Sequence, residues 1–327
     1  MIYLLYIALA VGVIGLSIRL SYYVDELDKK TNVSGAFLGG VMLAAVTSLP
    51  ELFTSISSTV FLGDVKLVLG NILGSNIFNL TILGCLVLSG ITAFKNANIT
   101  SSHRNTLKLL MMMYGIIFIA NIIGKDFTFF GVSFFSIGIL VLYVRGAKTM
   151  SIDESLEEEG ESTCKLTVKQ IMIRFILLSI GLIICSITIT MVTDVIAEKL
   201  SLGATLAGAL LLGVATSLPE LTSSIALAKK GNFNAMTGNI LGSNLFNCAI
   251  LFLADILYID GSVYKPSNEV YLLIIFGFIC TIVAYGMLKI KGKYAKTKDK
   301  TNNSSIPYAL ASITIVLSYI TYLVISV

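Results

Sequence analysis

Charge is scarce in this sequence. Asp, Glu, Lys and Arg make up 13% of its 327 residues, about half the share in a soluble globular domain. That scarcity, with 56% hydrophobic residues, excludes a soluble domain, a disordered chain and a nucleic-acid-binding protein. Histidine is represented once, by His103, and the five cysteines form no CxxC pair or Cys/His cluster. A zinc site or c-type haem is therefore not expected. Cys85, Cys185, Cys248 and Cys280 sit singly in apolar runs and Cys164 in a polar loop, so a disulfide-stapled fold is excluded too. What remains is a polytopic membrane protein.

A membrane-crossing helix needs about 20 mostly apolar residues. Candidate runs lie at about 2–22, 35–62, 66–93, 107–124, 127–145, 169–193, 203–228, 234–258, 269–289 and 306–327. Only helices satisfy every backbone group inside one segment in lipid, so all ten are predicted to be helical. The N-terminal run lacks a basic flank and a small-residue cleavage site, and reads as the first span rather than a signal peptide. With both termini outside, the outer side keeps Lys66, Lys125, Lys199 and Lys265, and the inner side takes 19 of the 23 basic residues. That asymmetry is a positive-inside signal. It predicts a multi-pass protein of the cell membrane with the 146–168 loop in the cytosol.

That loop carries six of the 19 acids, Asp153, Glu154, Glu157, Glu158, Glu159 and Glu161. It has no EF-hand spacing, and a solvated linker is preferred over a cation sensor. It divides the chain into a first five-helix repeat (1–150), an acidic linker (151–167) and a second five-helix repeat (168–327). The repeat is explicit: AAVTSLPELFTSIS and LGNILGSNIFNLTIL in the first half recur as GVATSLPELTSSIA and TGNILGSNLFNCAIL, about 169 residues later. An odd number of spans per unit turns the second copy upside down. The expected fold is an all-α membrane protein of about ten transmembrane helices in two inverted repeats, an architecture of secondary transporters with midplane ion sites.

Pro50 and Pro219 fall at matched points of two apolar spans, each followed by an acid. A mid-helix proline has no N–H and clashes one turn back, so the carbonyls of Val46 and Ala215 should lose their helical partners. Glu51 and Glu220 are the acids set deep in apolar runs, where a charge costs at least about 2.5–3.5 kcal/mol. No Lys or Arg lies at that depth, so a bound cation is the expected counter-charge. Thr47, Ser48, Thr216, Ser217, Ser75, Asn79, Ser243 and Asn247 supply hydroxyls and amides at helical spacing. An all-oxygen set suits Ca²⁺ or Na⁺ and disfavours softer transition metals. Each hydroxyl has a plainer reading, a bond to its own i−4 carbonyl. Asn71 and Asn239 would orient the turns, and Gly70, Gly74, Gly238 and Gly242 would permit close helix approach.

TSLPE followed by GNxxGSN in each half resembles the paired alpha-repeats of the sodium/calcium exchanger family, part of the calcium/cation antiporter superfamily, and most closely its compact prokaryotic members. The resemblance implies a central Ca²⁺ site made by Glu51 and Glu220 with the carbonyls of Thr47 and Thr216. It implies flanking Na⁺ sites using Ser48, Ser75, Ser217 and Ser243 with carbonyls near Ala44 and Gly213, and it places Asn79 and Asn247 in the remaining central positions. Three departures stand out. Val46 and Ala215 replace a glycine before TSLPE, Asn247 replaces an Asp of the potassium-dependent branch, and GNILGSN lacks the acid of proton exchangers. The expected activity is Na⁺/Ca²⁺ antiport by alternating access, with no enzymatic reaction and no cofactor beyond the transported ions. The bilayer and those ions are the expected partners, and a monomer the functional unit. Proton-coupled exchange, or exchange of Mg²⁺ or Mn²⁺, is the alternative. A carboxylate-dyad hydrolase fits the duplication less well, as does a passive channel.

Overall fold

The computed structural model describes residues 2–31, 33–63, 65–124, 127–129, 131–152, 164–199, 216–259, 261–296 and 304–326. Its helices are α1 (Ile2–Lys30), the interrupted α2 (35–62), α3 (Val65–Ser89), α4 (Ser102–Ile123), α5 (Phe134–Ile152), α6 (Val168–Lys199), α7 (Leu218–Lys229), α8 (Phe233–Leu257), α9 (Asn268–Lys296) and α10 (Ile306–Ile325), with a short helix Ile91–Asn96 after α3. Among the described residues, eight segments are long and apolar enough to cross a membrane; α5 and the described part of α7 are not among them. Most of the acidic loop, the carbonyl of Gly213, Ala215 and the first half of the 203–228 run lie outside the described residues.

Several boundaries differ from the hydropathy reading by five residues or more, and two of them have a visible cause. The 127–145 run is not helical from its start. Thr128–Phe129 (β1) and Val132–Ser133 (β2) pair antiparallel, Thr128 opposite Ser133, and α5 begins only at Phe134. The Asp255 carboxylate accepts the Ser133 N–H at 2.7 Å, which holds this hairpin against α8. Helix α1 runs on past residue 22 to Lys30 because its polar end is buried: Asp25, Glu26 and Asp28 are nearly inaccessible. Asp25 accepts from Lys230 at 2.7 Å and Lys29 at 3.1 Å, and Asn232 donates to Asp25 at 3.3 Å and Asp28 at 2.9 Å. Buried acids are therefore not confined to mid-span positions; Asp25, Glu26, Asp28 and Asp255 sit near helix ends.

Packing follows the duplication. α3 and α8 lie side by side at the centre, and α1 and α6 pair lengthwise. α5 packs on α8 as α10 packs on α3, α1 meets α7 as α6 meets the second part of α2, and α4 contacts α5 as α9 contacts α10. Exchanging each helix for the one five places on thus reproduces these contacts, as two inverted units must. The helices of the GNILGSN motif are deeply buried, whereas α1 and α10 turn most of their apolar windows outward. Apolar side chains on those outer faces find lipid rather than water.

Candidate functional site

The site begins with what proline does to α2. Residues Leu38–Leu43 are π-helical, Ala44–Thr47 return to α-helix, and Ser48 breaks the run at φ −89°, ψ 8°. A new helix, Leu49–Ser57, starts with Pro50 in its first turn, the position where a missing N–H is harmless. Ser217 (φ −92°, ψ 9°) and Pro219 repeat this geometry at the start of α7. Pro50 offers no N–H to Val46, and the ladder resumes with the Leu52 N–H on the Ser48 carbonyl at 3.2 Å; in the second half Leu221 N–H reaches Ser217 at 3.1 Å. The consequence is electrostatic. Glu51 and Glu220 are first-turn residues of new helices, beside the positive end of a helix dipole, where anions are favoured by up to about 2 kcal/mol when partly buried.

Both carboxylates are completely buried, and their partners cross between the repeats. Ser217 Oγ donates to Glu51 Oε1 at 3.3 Å, and Ser48 Oγ donates to Glu220 Oε1 at 3.1 Å. Ser75 Oγ adds a longer bond to Glu51 Oε1 at 3.4 Å. Helical spacing pairs Ser48 with Glu51, but the break rotates Ser48 away, and it meets the other repeat's glutamate instead. Thr47 Oγ1 and Ser243 Oγ share a 3.4 Å bond across the repeats. The Ala44 carbonyl accepts the Ser48 N–H at 3.0 Å and the Thr47 hydroxyl at 3.3 Å. Thr216 is buried beside Ser217.

Several polar atoms in this interior have no protein partner. Glu51 Oε2, Glu220 Oε2, Asn247 Oδ1 and both amide atoms of Asn79 are buried and unpaired. Each such group forfeits about 1–3 kcal/mol, and charged ones more. Four oxygens of the two repeats are thus left to coordinate something other than protein. Among the described residues no group of three His, Cys, Asp or Glu side chains converges, so the donors are two carboxylates and neutral oxygens.

A surrounding layer fixes these groups. Asn71 Nδ2 donates to the Glu51 carbonyl at 3.2 Å and to Ser55 Oγ at 3.1 Å. In the second half Asn239 Nδ2 donates to Ser223 Oγ at 2.9 Å, which passes the link on to the Glu220 carbonyl at 3.1 Å. Sequence reasoning missed Asn76 and Asn244. Asn76 Nδ2 donates to the Asn244 carbonyl at 3.3 Å and Asn244 Nδ2 to the Asn76 carbonyl at 3.0 Å, a reciprocal clasp between α3 and α8. Asn247 Nδ2 also donates to Asn76 Oδ1 at 3.1 Å. The signal was present: this Asn closes the GNILGSN motif in both halves.

Close approach at the four motif glycines is one-sided among the described residues. A Cβ at Gly242 would strike the Gly40 backbone, and one at Gly238 would lie 3.0 Å from the Ala36 carbonyl. Gly70 and Gly74, expected to serve likewise, have no described atom within 4 Å of such a Cβ. The segment matching 38–43 falls within 201–215, outside the described residues.

The chain is similar to known proteins in sequence and in fold. The family model described as sodium/calcium exchanger protein matches residues 1–147 and 171–327. The inner membrane protein YrbG of Escherichia coli (strain K12) is 27% identical over 283 residues, covering 80% of this chain and 83% of that protein. The uncharacterized membrane protein MJ0091 of Methanocaldococcus jannaschii is 30% identical over 251 residues, 72% of this chain and 78% of its own. A solved structure of the sodium-calcium exchanger NCX_Mj, soaked with Na⁺ and Sr²⁺, superposes with a TM-score of 0.68 at 20% identity, covering 97% of this chain and 95% of that one, a likeness of fold. Matched in both halves, this multi-pass chain belongs to the sodium/calcium exchanger family of membrane cation antiporters.

Proposed function

We propose that this antiporter exchanges Na⁺ for Ca²⁺ at one site shared by the two repeats. The observation that carries the reading is the crossed pairing of Ser217 with Glu51 and Ser48 with Glu220, which leaves the second oxygen of each buried carboxylate unpaired. Two carboxylates match one Ca²⁺ in charge. Ca²⁺ takes six to eight oxygens, and Asn79, Asn247 and the carbonyls of Thr47 and Thr216 complete the proposed central set. Ser48, Ser75, Ser217 and Ser243, with the carbonyls of Ala44 and Gly213, are the proposed Na⁺ ligands. A serine hydroxyl is donor and acceptor at once. It can turn from donating to a glutamate to offering a lone pair to Na⁺ with little displacement.

Coupling follows from competition. Both loads use Glu51 and Glu220, so Ca²⁺ and Na⁺ exclude each other, and only a loaded site neutralises two anions buried in lipid-depth protein. An empty site carries that uncompensated charge, which opposes passage between the outward- and inward-open states. Alternating access of one repeat against the other then moves each load in turn. The proposed division is 1–150 and 168–327 around a cytosolic linker, with both termini outside and a single chain as the working unit.

Purified protein in Na⁺-loaded vesicles is expected to accumulate ⁴⁵Ca²⁺, with the signal collapsing when internal Na⁺ is replaced by K⁺. Uptake that ignores the Na⁺ gradient and follows a pH gradient would replace this reading with the proton-coupled one.

A further inference from the structure

One charged cavity lies outside the ion site, at the basic end of the bundle between the first turns of α4 and the last turns of α9. It has a volume of about 280 Å³ and is lined by Ser101, Arg104, Asn105, Lys108, Tyr285 and Lys289. That is space for about nine waters, enough for a phosphodiester with its glycerol. Three of the six lining residues are cations. Among the described residues the two ion pairs both involve Asp25, so no carboxylate answers Arg104, Lys108 or Lys289. No acid occurs in the sequence from 65 to 125 or from 270 to 298, which leaves both walls free of negative side chains.

The pocket is built rather than incidental. Arg104 lies across the α9 backbone at Gly292, where any Cβ would collide with the guanidinium. Lys108 stands over the Tyr285 ring, 5.8 Å from its centroid, which keeps one cation on the wall. The first turn of α4 adds the positive end of a 22-residue helix. One turn further along the same faces, Met112 on α4 and Ile282 on α9 are exposed and apolar. A basic pocket therefore opens directly onto a lipid-facing apolar lane, flanked by a tyrosine of the kind enriched at membrane interfaces.

We propose that this cavity binds the phosphate headgroup of an anionic phospholipid, with its acyl chains running down past Met112 and Ile282. Basic pockets between membrane helices hold such headgroups. A free phosphate shares the headgroup chemistry but has no use for the apolar lane. The site is independent of the exchange reading, because none of its residues touches Glu51, Glu220 or their partners.

The test is native mass spectrometry of the full chain in detergent, titrated with phosphatidylglycerol, phosphatidylcholine or inorganic phosphate. Wild type is expected to retain phosphatidylglycerol over phosphatidylcholine and to keep it in excess phosphate. The Arg104→Gln/Lys108→Gln/Lys289→Gln variant should lose about a hundredfold in affinity, roughly fivefold per cation. A variant with equal charge removal on the exposed Arg145, Lys148 and Lys169 should bind as wild type does. Unaltered binding by the pocket variant, equal loss in the matched variant, parity between the two lipids or displacement by phosphate would each overturn the proposal. Should the triple variant fail to fold, Gly292→Leu decides. It displaces Arg104 at constant charge and must weaken phosphatidylglycerol binding; unchanged binding overturns the proposal.

Discussion

Glu51→Gln and Glu220→Gln are each expected to abolish Na⁺-dependent ⁴⁵Ca²⁺ uptake while leaving a folded, monodisperse protein. The amide keeps the carboxylate's shape, and its oxygen can still accept the Ser217 or Ser48 hydroxyl that crosses from the other repeat. What it removes is one of the two fully buried negative charges that the proposed site offers a divalent ion. Depriving a buried charge of its partner costs about 3–5 kcal/mol, or roughly two to three and a half orders of magnitude in ion affinity. The two substitutions should also be non-additive, because the double variant removes a site that either single change has already disabled. Uptake reduced less than about tenfold by both single changes would remove the glutamates from the transport step.

The second large effect concerns assembly. Gly242→Ala adds one methyl group, yet its Cβ would be driven into the backbone of Gly40 in the π-helical part of α2. Side chains relieve overpacking by changing rotamer, whereas a carbonyl in a packed helix has no such escape. Ordinary overpacking costs about 1–3 kcal/mol, and here α8 must move away from α2 or the clash persists. Either response shifts Ser243, the next residue, from Thr47, its 3.4 Å partner across the repeats. Thermal unfolding in detergent should show a Tm lowered by several degrees, accompanied by loss of exchange. Gly70→Ala is the matched control: it has no described atom within 4 Å of the added carbon and is expected to keep wild-type stability. Equal stability of Gly242→Ala and wild type would contradict the helix contact that seats the site.

The duplication made much of this legible in advance. Two copies of TSLPE and GNILGSN, repeating with a period of five apolar runs, carry the inverted architecture, the proline breaks and the burial of Glu51 and Glu220, because each depends on residue type and order along one chain. Partner choice was not legible. Ser48 was matched to Glu51 by helical spacing, but that spacing holds only in an unbroken helix, and the break at φ −89° hands Ser48 to Glu220. The Asn76–Asn244 clasp joins two helices that become neighbours only through tertiary packing. Hydropathy averaged over a window placed α5 too early, since Phe127 and Phe129 are apolar but belong to the hairpin segment before it. It also ended α1 too early, because Asp25, Glu26 and Asp28 depress the average although they are buried, Asp25 against Lys230 and Asn232 and Asp28 against Asn232.

The most direct measurement is anomalous diffraction from crystals of this chain grown with Sr²⁺ as a Ca²⁺ surrogate and then soaked in Na⁺. The expected result is one strong peak between the Glu51 and Glu220 carboxylates, fading as Na⁺ rises. A peak remote from both carboxylates, or one between them that Na⁺ leaves undiminished, would contradict a site that the two ions occupy by turns.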